Sequence, residues 1–238
     1  EVNEKSFTLA EVWYGAELPY PSFRDKRVAF AVGKIDPAGF FDQNAVAGDE
    51  THSFLADLFV NNLTIDWGGD DNGYGLGTRL AYRFTSVFNK ALSVEGQIGV
   101  FEGDGDFARP FDHPFLIGEI DVSRSTYGLK GNYRFYAWTN QTDHPDFSEL
   151  SDTGRANWGL GTSLDQQVMS GLALFLRYGR QDPKVSRFDQ AATVGGRLVG
   201  NAWNRGGDLL GGAAGYAHTS NDYEKVAPER EDLEVEGA

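Results

Sequence analysis

Five arginines, Arg79, Arg83, Arg134, Arg177 and Arg197, stand at strand-like positions in this chain, joined by Lys130. A guanidinium offers several N–H donors in a fixed planar fork, a geometry that suits the hydroxyls of a sugar. Glu95, Glu119 and Asp121 supply acceptors at matching positions. A plainer reading fits the same residues: a charge ladder, paired strand to strand, that keeps a polar surface wet and near neutral. Sugar binding also asks for ring platforms, because apolar C–H faces stack on aromatics while hydroxyls seek polar edges. Trp13 and Phe175 share the parity of the cations, and Trp67 lies in a long loop beside Asp66, Asp70 and Asp71. Trp13 at an interface, and Trp67 packed under its own loop, are equally good accounts.

Other chemistry finds little footing. His52, His113, His144 and His218 lack metal-ligand spacing, and the absence of cysteine removes thiolate sites. Neither a G-x-S-x-G elbow nor a P-loop is present, so no catalytic role and no cofactor are expected. Asp104 and Asp106, in Gly103–Phe107, begin the oxygen alternation of a calcium loop but lack its distal carboxylate, so an ordinary acidic loop is expected. With 35 acidic against 21 basic side chains, the net charge of −14 excludes a nucleic-acid groove.

The elements that must carry these residues are strands. From Leu76 to Phe84, Leu76, Thr78, Leu80, Tyr82 and Phe84 share one face while Gly77, Arg79, Ala81 and Arg83 share the other. The same period of two recurs around Val94, Ile120, Leu129, Leu160 and Leu174, and more weakly at 9–18, 28–35, 192–200 and 209–218. About ten strands are expected, most of the length that crosses a bilayer at a tilt. Glycine is in excess at 30 of 238 residues. The polar faces are rich in Gly, Asn and Arg, and Tyr82, Phe84, Trp138, Tyr178 and Trp203 sit near strand ends, as interfacial girdles require. Both a soluble sandwich and a membrane barrel alternate this way. They differ in whether Leu80, Val94, Leu129 and Leu174 face outward or converge on a core.

The longest stretch without alternation, 36–71, holds Phe54, Leu55, Leu58 and Phe59 at the spacing of a short amphipathic helix, expected near 49–59 and buried against something. Lys34 to Phe84, together with Ala10–Gly15, Phe111–Phe115 and the glycine-rich 192–218, resembles the carbohydrate-selective porins of Gram-negative outer membranes (the OprB type). That resemblance implies an all-β, antiparallel up-and-down transmembrane barrel of sixteen strands, passing monosaccharides such as glucose down their gradient. It also implies an eyelet narrowed by inward-folded loops. The chain is then one porin-like domain over 1–238, with 36–71 folded inward. It opens without Met or an apolar leader, and shows about six strands too few, so an internal fragment or truncated form is expected, with a complete ten-stranded barrel as the alternative.

The partners implied are small sugars and outer-membrane lipid, and a homo-oligomer is compatible with the sequence. The competing reading is a soluble or surface-attached carbohydrate-binding β protein without a pore; an enzyme or adhesin on a barrel is a third. Under the porin reading Arg79 and Arg83, four residues apart on one strand, are separated by roughly 13 Å. They are then expected to bracket a sugar without touching the same hydroxyl, one of them beside Asp66, Asp70 and Asp71 at the constriction and the other a ladder residue.

Overall fold

Residues 9–19, 26–49, 51, 53–70, 73–85, 91–148, 153–227 and 233–235 are described in a computed structural model of the chain. They form one sheet. Its strands are β1 (Val12–Pro19), β2 (Lys26–Ile35), β3 (Gly75–Thr85), β4 (Leu92–Glu102), β5 (Pro114–Thr126), β6 (Leu129–Pro145), β7 (Thr153–Met169), β8 (Leu172–Gln181), β9 (Phe188–Val199), β10 (Leu209–Thr219) and the three-residue β11 (Leu233–Val235). Their order in the sheet is their order in the chain, every paired neighbour is antiparallel, and the sheet does not close on itself. Helices are confined to α1 (Asp57–Val60) and α2 (Asn221–Val226), besides two short 3-10 turns.

The hairpin chemistry is local. Between β5 and β6 the turn is Tyr127-Gly128, both at positive φ (53° and 82°), the primed geometry whose twist matches that of paired strands. The two-residue connections 127–128 and 170–171 lie at that end of the sheet with the nine-residue 200–208, while the long 36–74 and 103–113 leave from the opposite end. That asymmetry is the one found in outer-membrane barrels, with turns on one side and long loops on the other.

The two faces separate cleanly by parity. Leu80, Ile98, Ile120, Phe135, Leu160, Leu174, Leu176 and Val194 lie on a bare apolar face, with Ile98 58% and Ile120 55% exposed. Val94 and Leu129 are half-buried on that same parity. The other parity buries Ala31, Ala81, Phe101, Phe115, Tyr136, Trp138 and Phe175 together with Gln97, Glu119, Arg134, Ser163, Asp165 and Arg177. A charged, hydrogen-bonded interior beneath a greasy exterior inverts the arrangement of a soluble sandwich. Trp138 corrects the girdle expectation: it points into the covered face and packs on Phe115 at 6.0 Å between centroids. Its neighbours Phe135 and Ala137, of opposite parity, are the outward residues there.

The glycine excess has a spatial cause. Directly across the ladder, Trp13 faces Gly33, Phe101 faces Gly77, Trp138 faces Gly159, Tyr136 faces Gly161 and Phe175 faces Gly195. A Cβ at Gly77 would stand 2.3 Å from the Phe101 ring, and one at Gly159 would stand 2.6 Å from the Trp138 ring. The rings of Phe101, Trp138, Tyr136 and Phe175 therefore lie flat along the wall over the missing side chain opposite, and that of Trp13 over Gly15 on its own strand, which thins the covered face enough to seat a loop.

That loop, 36–74, crosses the sheet on two apolar feet. Phe41, Ile65 and Trp67 join Phe101, Phe115, Ile117 and Trp138 at one end, and Val46, Ala47, Phe54 and Phe59 join Phe175 at the other. The expected helix shrinks to the single turn α1, because the chain before it is extended, with Ala56 in the β region. Phe54 and Leu55 consequently point to opposite sides: Phe54 is buried, whereas Leu55 is 89% exposed. Phe54, Leu58 and Phe59 are the buried members of the expected cluster.

Gly179 and Gly96 test this packing account. A Cβ at Gly179 would fall 1.9 Å from Thr64 Oγ1 and 2.7 Å from Asn62 Nδ2 of the loop, whereas one at Gly96 would meet nothing. Gly179→Ala is expected to lower stability by about 1–3 kcal/mol, the usual cost of overpacking. Gly96→Ala should be neutral or mildly stabilising, since Ala restricts the unfolded chain more than Gly does. Denaturant midpoints of the two variants in detergent would check the contrast.

Candidate functional site

The covered face between wall and loop collects the charged residues expected from the sequence, and it uses most of them internally. Arg177, on β8, is 3% exposed. It donates to the carbonyls of Phe59 (2.5 Å), Val60 (2.6 Å) and Asp42 (2.9 Å) and lies 3.4 Å from the Asp42 carboxylate. Asp42 has a left-handed backbone (φ 53°), which Asp tolerates better than most residues. Burial pushes its carboxyl above the ordinary carboxylate range, against the downward pull of Arg177. Arg197, on β9, holds the same loop through Ser53 Oγ (3.1 Å) and the Ala45 carbonyl (3.2 Å).

The remaining cations pair along the wall. Arg134 bridges Asp121 (3.2 Å) and Asp165 (2.9 Å). Arg79 binds Glu95 (3.0 Å) and Gln97 (2.5 Å), with its guanidinium 4.9 Å from the Phe40 ring centroid. Arg83 takes the other oxygen of Glu95 at 2.7 Å. Arg79 and Arg83 therefore hold the two oxygens of one carboxylate between them, each as a ladder residue. Glu95 lies directly opposite Arg83 in register, and the long, flexible stem of Arg79 reaches back along the strand to it. Neither arginine meets the loop acids: Asp70 pairs with Lys34 and Asp66 with His144, each at 2.7 Å, and Asp71 falls outside the described residues.

Glu119 is buried, accepting from Asp42 N (2.8 Å) and Gln97 Nε2 (2.7 Å). Lys130 stays exposed beside the Tyr127-Gly128 turn, away from the loop. Trp13 meets Phe40 edge-on at 5.5 Å, and Trp67 packs on Phe115 at 5.6 Å. Phe175, buried at 2% exposure against Phe54, offers no platform. Asp104 and Asp106 cap their own loop's backbone N–H groups, as an ordinary acidic loop does.

The loop's free side leaves a cleft of about 340 Å³ lined by Asp36, Asp57, Asn61, Asn62, Ile65 and Trp67 among others. Asp57 is exposed and accepts from Asn61 Nδ2 at 2.8 Å. Burial raises the Asp36 carboxyl, offset by the Ala38 N–H. Carboxylate and amide groups beside a half-buried indole supply the groups that a small polar molecule with one apolar face would need. None of Asp36, Asp57 and Asn61 was among the sequence candidates. Their one visible signal is membership of the long loop, which carries no strand parity by which to orient them.

A model of the carbohydrate-selective porin, OprB family matches residues 3–232. The chain belongs to that family. Pseudomonas putida OprB, in a structure described as its high-pH form, superposes with a TM-score of 0.65 at 18% sequence identity. The match covers 92% of this chain and 56% of that one, so the chain spans a little over half the length of that porin. At such identity the likeness concerns the fold. No curated protein matches.

Within this porin-family fold the arginines divide by what they hold, and the division is testable. Replacing Arg177 by Met would strip three loop carbonyls of their donor and leave Asp42 buried without its counter-charge. A loss of about 3–5 kcal/mol is expected, as for breaking one partner out of a buried pair. Arg83→Met, at a half-exposed pair, should cost less than about 1 kcal/mol. Urea unfolding of both variants in the same detergent decides between this division and a uniform ladder.

Proposed function

We propose that this chain lines a passive outer-membrane channel of a Gram-negative bacterium through which small neutral carbohydrates, monosaccharides such as glucose among them, diffuse. The observation that carries the reading is the inverted sidedness of the sheet. Large apolar side chains stand bare on one face while charged and amide groups fill the other beneath an inward-lying loop. Water would not tolerate that outer face over ten strands, and lipid would. Family membership supports sugars as the solute class.

The solute path in this reading runs over the loop's free side, past Asp57, Asn61 and the Trp67 edge, with Arg83 as the most exposed wall cation of the Glu95 pair. Selection would come from the width left by the loop and from the acceptors and donors on its rim. Arg79, Arg134, Arg177 and Arg197 act here by shaping the passage, since their donors are turned toward the protein itself. A homo-oligomer is compatible with this arrangement, the bare face being available to lipid or to a second copy.

The full-length protein in planar bilayers should pass ions, and glucose should block that current. Arg83→Ala and Asp57→Ala are each expected to weaken the block by about 1.5–3 kcal/mol, the worth of a hydrogen bond to a charged group. An absent block would overturn the channel reading. The outer face supplies a second check. Ile120, at the centre of β5 and 55% exposed, would meet hydrocarbon, so Ile120→Arg should destabilise by about 2–4 kcal/mol in lipid. A soluble carbohydrate-binding protein would accept the same exposed change within about 0.5 kcal/mol.

A further inference from the structure

His144 is placed so that both of its ring nitrogens face acceptors. Nδ1 lies 2.8 Å from the Thr142 carbonyl and 3.1 Å from the Arg155 carbonyl. Nε2 lies 2.7 Å from Asp66 Oδ2. The Thr142 hydroxyl is 3.4 Å from Nε2, but it donates to Asn140 Oδ1 at 2.8 Å. Carbonyl and carboxylate oxygens accept only, and a neutral imidazole has a single N–H. Satisfying both sides requires a hydrogen on each nitrogen, which makes the ring a cation.

The partner of that cation sits in a strap of loop, Asn62–Trp67, in which Asp66 is the one charged residue. Leu63 and Ile65 of the strap line two clefts at once: the one of about 340 Å³ described above, and one of about 260 Å³ that also includes Asp66, His144, Asn157, Ser186 and Arg187. The strap is therefore the partition between them. Its other ties are the apolar seating of Ile65 and Trp67 described above and neutral-donor hydrogen bonds, from Asn62 to Tyr136 OH (2.7 Å), from Gln181 to the Leu63 carbonyl (3.4 Å), from Asn140 to the Asp66 carbonyl (3.2 Å) and from Asn157 to Asp66 Oδ2 (3.1 Å). His144–Asp66 is the one ion pair on the strap among the described residues.

We propose that His144, as an imidazolium, is the positioning residue that latches the Asn62–Trp67 strap to β6, and that this latch sets the width of the passage a sugar meets. The inference rests on the channel reading for its consequence, though not for its geometry. Losing the ring's charge leaves one oxygen facing a bare nitrogen lone pair, loosens the strap and lets the two clefts merge. The charged groups around the ring are few. Asp66 faces it from the loop. On β7, Arg155 presents its carbonyl while its guanidinium turns to Asp146 (3.2 Å) and Asp182 (3.3 Å). Across the cleft, Arg187 lies over the Phe188 ring at 4.8 Å. His144 lies beyond the point where β6 and β7 first shift register, near the end of a 17-residue strand.

Two measurements on the full-length protein test this. Ring ¹⁵N shifts of His144 in detergent should report two protonated nitrogens at about pH 7, with a titration displaced upward from that of a free imidazole. Asp66→Asn should move that titration down by about one to three pH units, the effect of removing an adjacent opposite charge. In bilayers, conductance should rise in a step as the ring deprotonates, with weaker glucose block. His144→Gln should show the high conductance at all pH values and no step, while His218→Asn, whose ring pairs with Asp189 at 2.7 Å, should keep it. A neutral ring at about pH 7, an unshifted titration in Asp66→Asn, or an unchanged step in His144→Gln would each overturn the proposal. If glucose fails to block even the unmodified channel, the functional reading falls while the ¹⁵N titration still decides the latch.

Discussion

A loop of irregular backbone laid against a sheet cannot keep its peptide groups unpaired, and here the wall's side chains pair them. Arg177 donates to three loop carbonyls, Gln97 to that of Phe40 (2.9 Å) and Ser163 to that of Gln43 (2.9 Å). Glu119 and Asp165 accept from the N–H groups of Asp42 (2.8 Å) and Ala45 (3.3 Å). The polar parity of the strands is thus a template written for one particular loop path. Substituting these residues by apolar ones of equal size would leave peptide groups desolvated without partners, which costs more than the hydrogen bonds contribute when made. The rest of the covered face depends on this condition being met.

Template and glycine excess are two sides of the same requirement. Side-chain donors reach loop carbonyls only if the loop lies close to the wall, and inward rings standing upright would hold it away. Pairing each such ring with a glycine across the ladder lets Phe101, Trp138, Tyr136 and Phe175 lie down. Glycine weakens a strand locally. The flattened rings return that loss by making two apolar seats, one for Phe41 and Trp67 and one for Phe54 and Phe59.

Strand parity was legible in the sequence because a side-chain period of two needs no knowledge of partners. Leu80, Ile98, Ile120 and Leu174 on one side, and Arg134 and Arg177 on the other, follow from it directly. What each arginine holds was not legible. Arg177 and Arg197 reach loop atoms more than a hundred residues away, and no local spacing encodes such a contact. That Arg79 and Arg83 converge on Glu95 was not legible either, because strand spacing fixes Cβ atoms, whereas the guanidinium sits several bonds beyond and can fold back onto a shared carboxylate. Trp138 was misplaced by treating nearness to a strand end as a cue while its parity with Arg134 and Tyr136 said inward. Parity is the stronger signal, since the pleat enforces it at every residue.

One consequence bears on selectivity. Because the wall spends its guanidinium groups on carboxylates and loop carbonyls, the groups left on the loop's free side are mainly acceptors: Asp36, Asp57 and the oxygen of Asn61. The chain as a whole carries −14. Under the proposed function, a passage rimmed in this way would repel anions by its field. It offers a polyol hydroxyl an acceptor for its proton and the Trp67 edge for its C–H face. Neutral hydroxylated solutes satisfy both at once without a charge to desolvate, and an anionic sugar phosphate of similar size does not. On the proposed channel reading, discrimination of that kind would arise from which charges the fold has already neutralised, so that the loop's seating on the wall would decide the chemistry of the path as well as its width.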